Sequence, residues 1–446
     1  MAEQTLAHPV PAPGSPTTHR RILSLALPMM AAEIVGVLVP IGVMVLMGRM
    51  VGDEALYVRS LFVPMENLFI AVQAAFGITT QVVAALSRGE GRREDVMGTV
   101  ASMARTWLVV GLVTCVLFFA SAAALAGLLG VTDAARDDFM AFLRWMSLAH
   151  LTLLGPMLTA AALRGYGHAR AGALVTLTSA GVELGGVALL GLGFGWGITG
   201  VPVAVAAAGL VGTVLGLVTL RRTGLWRPGD SLAWQPGTFG HLGQVGVPVA
   251  ATYVVMFGSI LALEWVLSPF GDKVISGFAG ASVLQVLVIM PGIVLGSAIA
   301  IVMNEQRGAG RRNLFAGTLK GGLQIALGLY TVVALAAWFG RDVLAHLITG
   351  NPEIAAETSA YLTVVGPTYL FMGLVLTSVT LLEQIGGGPL ALALNAGYFV
   401  GIVVVGGWFA RSMGESAGLY RTIAAFNLGG LVAVAITILF VRRLSR

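Results

Sequence analysis

The stretch R-G-E-G-R-R-E-D-V-M-G-T, Arg88 to Thr99, returns as R-G-A-G-R-R-N-L-F-A-G-T at Arg307 to Thr318. The offset is 307 − 88 = 219 residues. Arg, Gly, Gly, Arg, Arg, Gly and Thr recur in place, where unrelated segments would share about one position in twelve. Each copy follows one long apolar segment and opens another. Glycine lets a short loop turn sharply, and the arginines can cap a helix end or meet anionic lipid headgroups. The stretch therefore reads as a basic cytoplasmic loop, present once in each half of a duplicated membrane protein. Pro28 with Pro248, and Gly52-Asp53 with Gly271-Asp272, extend the repeat.

Composition agrees. The chain has 446 residues, 57% hydrophobic and 11% charged, with a mean hydropathy of +0.88. Soluble chains carry about 25% charge. Apolar runs of about 20 residues follow one another almost to the C-terminus, enough for about twelve spans. The expected fold is an all-α membrane protein of about twelve transmembrane helices in two six-helix lobes. Six is even, so the halves are parallel repeats about an axis along the membrane normal. The expected organisation is a proline-rich tail at 1–20, lobes at 21–220 and 241–446, and a polar linker at 221–240. Most arginines, including Arg88, Arg93, Arg221, Arg307 and Arg443, fall on one side of this scheme. The positive-inside rule makes that side cytoplasmic and puts both termini inside. The formal charge of +5 is thus a topological signal and not a nucleic-acid footprint.

Other local patterns fall in a matching order: L-A-L-P from Leu25, M-G-R-M-V-G-D-E-A-L from Met47, L-R-G-Y-G-H-A-R from Leu163, W-G-I-T-G-V from Trp196, and F-G-D-K-V-I-S-G-F from Phe270. Together these resemble the MATE family of multidrug and toxic compound extrusion transporters, within the MOP flippase superfamily. The resemblance implies a monomeric transporter of the cytoplasmic (inner) membrane that exports small amphipathic or cationic molecules by alternating access. It implies no cofactor beyond a coupling ion, H+ or Na+, and no partner beyond substrate and membrane lipids. A lipid-linked precursor flippase of the same superfamily is an alternative. A major-facilitator exporter is another, although that fold usually carries an Asp where Arg88 and Arg307 stand. The usual family acids are missing, because their places fall at Val43 and Gly185, with the companion Asn at Gly181.

Acids inside spans supply another signal. A charge at the bilayer centre costs about 2.5–3.5 kcal/mol on insertion scales, so it needs a reason to be there. Glu33, Glu66 and Glu183 fall inside spans one, two and five. Carboxyls that take a proton from one side and release it to the other are what a proton-coupled antiporter requires, so these three are the candidate coupling residues. Arg59, one to two turns from Glu66, is a candidate partner for it. Asn67, Gln73, Gln285 and Glu264 are candidates for the substrate cavity, with interhelical hydrogen bonding as the alternative. Pro40 and Pro64 break helical hydrogen bonds beside Glu33 and Glu66 and are candidate hinges. The sequence holds no metal-binding cluster, nucleophile constellation or Walker-type loop, which argues against an enzyme.

Overall fold

The computed structural model describes residues 16–445. Residues 1–15, most of the expected tail, lie outside the described residues. The first helix starts at Pro16, six residues before the expected position. Twelve long helices cross the bundle. In the first half they are α1 (Pro16–Leu46), α2 (Asp53–Glu90), α3 (Asp95–Leu128), α4 (Asp133–Gly165), α5 (Ala169–Val187) and α6 (Gly200–Arg222). The second half has α7 (Val247–Leu267), α8 (Asp272–Gly308), α9 (Phe315–Phe339), α10 (Pro352–Val365 and Tyr369–Leu382), α11 (Gly388–Gly401) and α12 (Ala417–Leu444). In hydrocarbon every backbone N–H and C=O must be satisfied within the chain, so each apolar run becomes a helix. The helical segment Pro352–Met413 runs 62 residues without a formal break. Gly386 lies inside it at φ 107 and turns the chain back, so α10 and α11 count as separate spans. A short helix, Arg341–Ile348, which the hydropathy pattern did not suggest, joins α9 to α10.

Each lobe has its own apolar core. The first is built on residues such as Phe62, Phe69, Phe139 and Leu163, the second on Phe278, Tyr361, Tyr369 and Ile423. The lobes meet along α1, α2, α7 and α8. Ile22, Leu25 and Met29 of α1 pack against Leu295, Ile299 and Val302 of α8. In matching fashion Val245 and Val249, around the start of α7, pack against Ala74 and Val82 of α2.

The repeated loops lie at the centre of this contact. A Cβ on Gly89 would stand 2.8 Å from the backbone nitrogen of Ala309 and closer still to the Glu305 carbonyl oxygen. A Cβ on Gly308 would stand 3.1 Å from the Cα of Gly89. The two glycines are equivalent in the repeat, and they pack backbone to backbone across the pseudo-twofold axis. The second glycines, Gly91 and Gly310, take left-handed conformations at φ 74 and φ 69. Arg88 Nη1 donates to the Tyr166 carbonyl at 2.8 Å, and Arg307 Nη1 to the Ile385 carbonyl at 3.4 Å. Each arginine, in the last turn of α2 or α8, therefore caps the fourth helix of its own lobe and not its own helix. Arg21 and Arg88 also pair with Glu305 of the other lobe, Arg88 at 3.7 Å.

The linker is docked onto the first lobe at this arginine end. Arg93 forms a two-point pair with Asp230 at 2.7 and 3.0 Å, and Arg105 donates to the Leu232 carbonyl at 2.8 Å. The bond from Arg93, with the Arg227 backbone N–H, holds the Asp230 carboxyl below the usual carboxylate range. That attachment is therefore present at neutral pH and is lost only as pH falls through the lowered value.

Candidate functional site

Between the lobes lies a cavity of about 470 Å³. Its walls come from residues spaced three and four apart, the period that puts side chains on one helix face. On α1 these are Glu33, Gly36, Val37 and Pro40; on α2, Glu66, Asn67, Ile70 and Gln73; on α5, Thr176, Ser179, Ala180 and Glu183. The second lobe contributes Tyr253, Met256 and Phe257 of α7, Gln285 and Met290 of α8, and Tyr398 and Phe399 of α11. The cavity is mainly apolar, with few polar groups, as sites for small amphipathic molecules are.

Its charges fall into two tiers. In the upper tier, toward the first turns of α2, Arg59 Nη2 donates to both oxygens of Glu66, at 2.9 and 2.7 Å. Arg59 is only 2% exposed. His150 stacks on Phe69 at 4.6 Å, and Gln73 Nε2 donates to the His150 carbonyl at 3.3 Å. Arg59 Nε and Nη1, and His150 Nε2, have no hydrogen-bond partner among the described residues. Glu183 lines the cavity and makes no hydrogen bond or ion pair with any described residue. Of the three acids on the wall, it alone lacks a partner.

The lower tier forms the floor, next to the arginine end. Arg164, in the last turn of α4, meets Glu33 at 3.2 Å. The Glu33 side chain is 41% exposed and that of Arg164 10%. Arg164 lies two residues before Tyr166, whose carbonyl Arg88 caps, so this pair sits just above the glycine closure.

Glu383, near the end of α10, was missed by sequence reasoning. It is 5% exposed and accepts from Thr252 Oγ1 at 3.1 Å. Thr252 in turn accepts from Asn395 Nδ2 at 3.4 Å. The repeat register was the available signal, since 383 − 164 = 219. The place of Arg164 in the first lobe is thus held by an acid in the second. By the α1/α7 register, 253 − 33 = 220, so Tyr253 takes the place of Glu33.

The structure brings most of the candidate residues to this one cavity: Glu33, Glu66, Glu183, Asn67, Gln73, Gln285 and Pro40 all line it. Gln285 Oε1 also accepts from the Tyr361 hydroxyl at 2.6 Å. Glu264 does not belong with them. It is half-buried on α7, whose cavity face carries Ile260 and Leu263, and it is not one of the wall residues. Pro64 lies inside α2, away from the cavity wall. Val43, Gly181 and Gly185 are also absent from the wall.

Twelve helices in two pseudosymmetric lobes, enclosing one acid-lined cavity, define the architecture of a membrane transporter. The chain belongs to the MatE family, whose model matches residues 28–189 and 248–409. This removes the major-facilitator alternative. A probable multidrug resistance protein, YpnP of Bacillus subtilis (strain 168), is 21% identical over 152 residues, and the match spans 34% of each chain. The Vibrio cholerae MATE transporter VcmN in its bent form has a similar fold, with a TM-score of 0.88 at 16% identity, covering 96% of this chain and 98% of that one. A MOP superfamily transporter from Pyrococcus furiosus gives 0.83 at 18% identity, covering 96% of both chains.

Proposed function

We propose that this protein is a monomeric secondary transporter of the cytoplasmic membrane that exports small amphipathic molecules in exchange for protons. Both termini and the arginine end face the cytoplasm. The lobes at 21–220 and 241–446 rock about the Gly89–Gly308 contact, with 221–240 as the strap between them. The described state is then outward-facing. Interlobe hydrogen bonds and ion pairs gather at the arginine end, and none joins the lobes at the other end among the described residues.

The observation that carries this reading is the unpartnered Glu183 carboxylate on the wall of a largely apolar interlobe cavity. Proton and substrate compete for it: a protonated Glu183 releases a bound cation outward, and a deprotonated one recruits the next from the cytoplasm. Glu66 contributes less to coupling because Arg59 already neutralises it. Glu33 is tied to Arg164 and serves the floor. Bending at Pro40 and Pro64 would transmit the change. A lipid diphosphate would meet three carboxylates and one arginine on this wall, which disfavours the flippase reading.

In proteoliposomes loaded with a pH-sensitive dye, adding an amphipathic cation should drive proton movement. Glu183→Gln should lower that movement at least about tenfold, the loss of a group whose two charge states do the coupling. Glu66→Gln should leave more of it. An undiminished rate in Glu183→Gln removes that carboxyl from the mechanism.

A further inference from the structure

The floor of the cavity has a chemistry of its own, and the inference from it rests on the transport reading above. We propose that Arg164 and Tyr253 form a carboxylate subsite, so that the cavity selects zwitterionic amphiphiles over simple cations. The anionic group sits on the floor and the cationic nitrogen points up toward Glu183.

Four observations carry this. First, Arg164 is under-used. A guanidinium presents a planar fork of N–H donors suited to a carboxylate. Here Nη1 alone meets Glu33, at 3.2 Å, while Nη2 donates to no described residue and Nε is buried without an acceptor. A cation whose only task was to neutralise Glu33 would be expected to use both of its terminal nitrogens. Second, Glu33 is 41% exposed, so the pair opens onto the cavity and can exchange partners.

Third, Tyr253 supplies a second donor. It lines the cavity, its hydroxyl makes no hydrogen bond with any described residue, and the charged groups around it are Glu33, Glu383 and Arg164. Its register equivalent is Glu33 itself, so an acceptor in one lobe is matched by a donor in the other. Fourth, the under-used donors and the free acceptor are separated along the wall. The Arg164–Glu33 pair lies beside the closed arginine end, and the unpartnered Glu183 carboxylate lies above it. A molecule with a carboxylate at one end and an amine at the other matches both tiers at once. A simple cation matches only the upper one and leaves Nη2 of Arg164 without a protein or ligand acceptor, and a site built to bind a polar group rejects analogues that lack it.

The test uses a zwitterionic rhodamine and its methyl ester, which differ only in the carboxylate. Binding to the purified full-length protein is read by fluorescence polarisation. The wild type should bind the acid at least about tenfold tighter than the ester, the scale of one charge-assisted hydrogen bond. Arg164→Gln should abolish that preference through loss of the acid alone. Tyr253→Phe keeps the ion pair and should cost the acid about threefold and the ester nothing. Glu33→Gln frees Arg164 and should tighten the acid, a direction that general disruption would not produce. Equal wild-type affinities, or equal losses of both dyes in Arg164→Gln and Tyr253→Phe, overturn the subsite. Acid-selective binding without movement of either dye in liposomes would support the subsite and overturn the transport reading.

Discussion

Gly89→Val should hold the arginine end open and lower transport by more than about tenfold. The added Cβ would collide with the Glu305 carbonyl and lie 2.8 Å from the Ala309 nitrogen. Both are backbone atoms of α8 and its C-cap, so no side-chain rotation relieves the overlap. Small residues at membrane helix contacts work by letting backbones approach, and a branched side chain removes that approach. The lobes must then separate by about the width of a methyl group, which opens the apolar seal of Ala74, Val82, Val245 and Val249. A water-soluble maleimide makes this measurable. The single native Cys115 is buried, and a cysteine placed at Ala85, which is 0% exposed, should become labelled only in the Gly89→Val background. Gly310→Ala is the control. It meets no atom within 4 Å but forces a side chain onto φ 69. It should cost about 1–2 kcal/mol of stability without opening the seal. Normal labelling and transport in Gly89→Val would show that the glycine contact is dispensable to closure.

This contact also marks where sequence reading stopped. The twelve spans, the duplication and the parallel lobes were legible because hydropathy and loop chemistry are local properties. The opening motif was read as one loop per lobe, with Arg88 and Arg307 as anchors. The contact between Gly89 and Gly308, and the capping of α4 and α10 by those arginines, join residues far apart in sequence, and spacing does not encode them. The acids divided in the same way. Glu33, Glu66 and Glu183 stand out within apolar runs. Glu383 is followed by Gln384, Ile385 and a run of three glycines, so it reads as the start of a loop although it is buried. Carrying Arg164 through the repeat register would have located it. Glu264 shows the converse: a carboxyl near a helix end stands out by type, while the helix face it occupies decides whether it reaches the cavity wall.

Arg59→Leu should be the most destabilising single substitution in the first lobe, by about 3–5 kcal/mol, the scale for removing one partner of a buried ion pair. Arg59 is 2% exposed and engages both oxygens of Glu66, so its loss leaves a carboxylate desolvated and unpaired. The pair itself is not an efficient source of stability. Arg59 Nε and Nη1 have no acceptors, and partly satisfied buried networks are costly. An apolar replacement of both partners removes the charges together, so Arg59→Leu with Glu66→Leu should recover most of the loss. Thermal unfolding of the purified protein in detergent reads both effects. A double variant as unstable as Arg59→Leu would mean that Arg59 acts by packing against Phe62 and not by neutralising Glu66. The proposed coupling scheme also predicts a functional change. Arg59 occupies both oxygens of Glu66, which leaves Glu183 as the carboxyl available to proton and substrate. With Arg59 gone, Glu66 becomes a second carboxyl without an ion-pair partner on the same wall. In Arg59→Leu, therefore, Glu183→Gln should no longer remove drug-driven proton movement, because Glu66 can take its place. Proteoliposome assays on the two single variants and their combination measure that rescue directly, and its absence would leave Arg59 a purely structural residue.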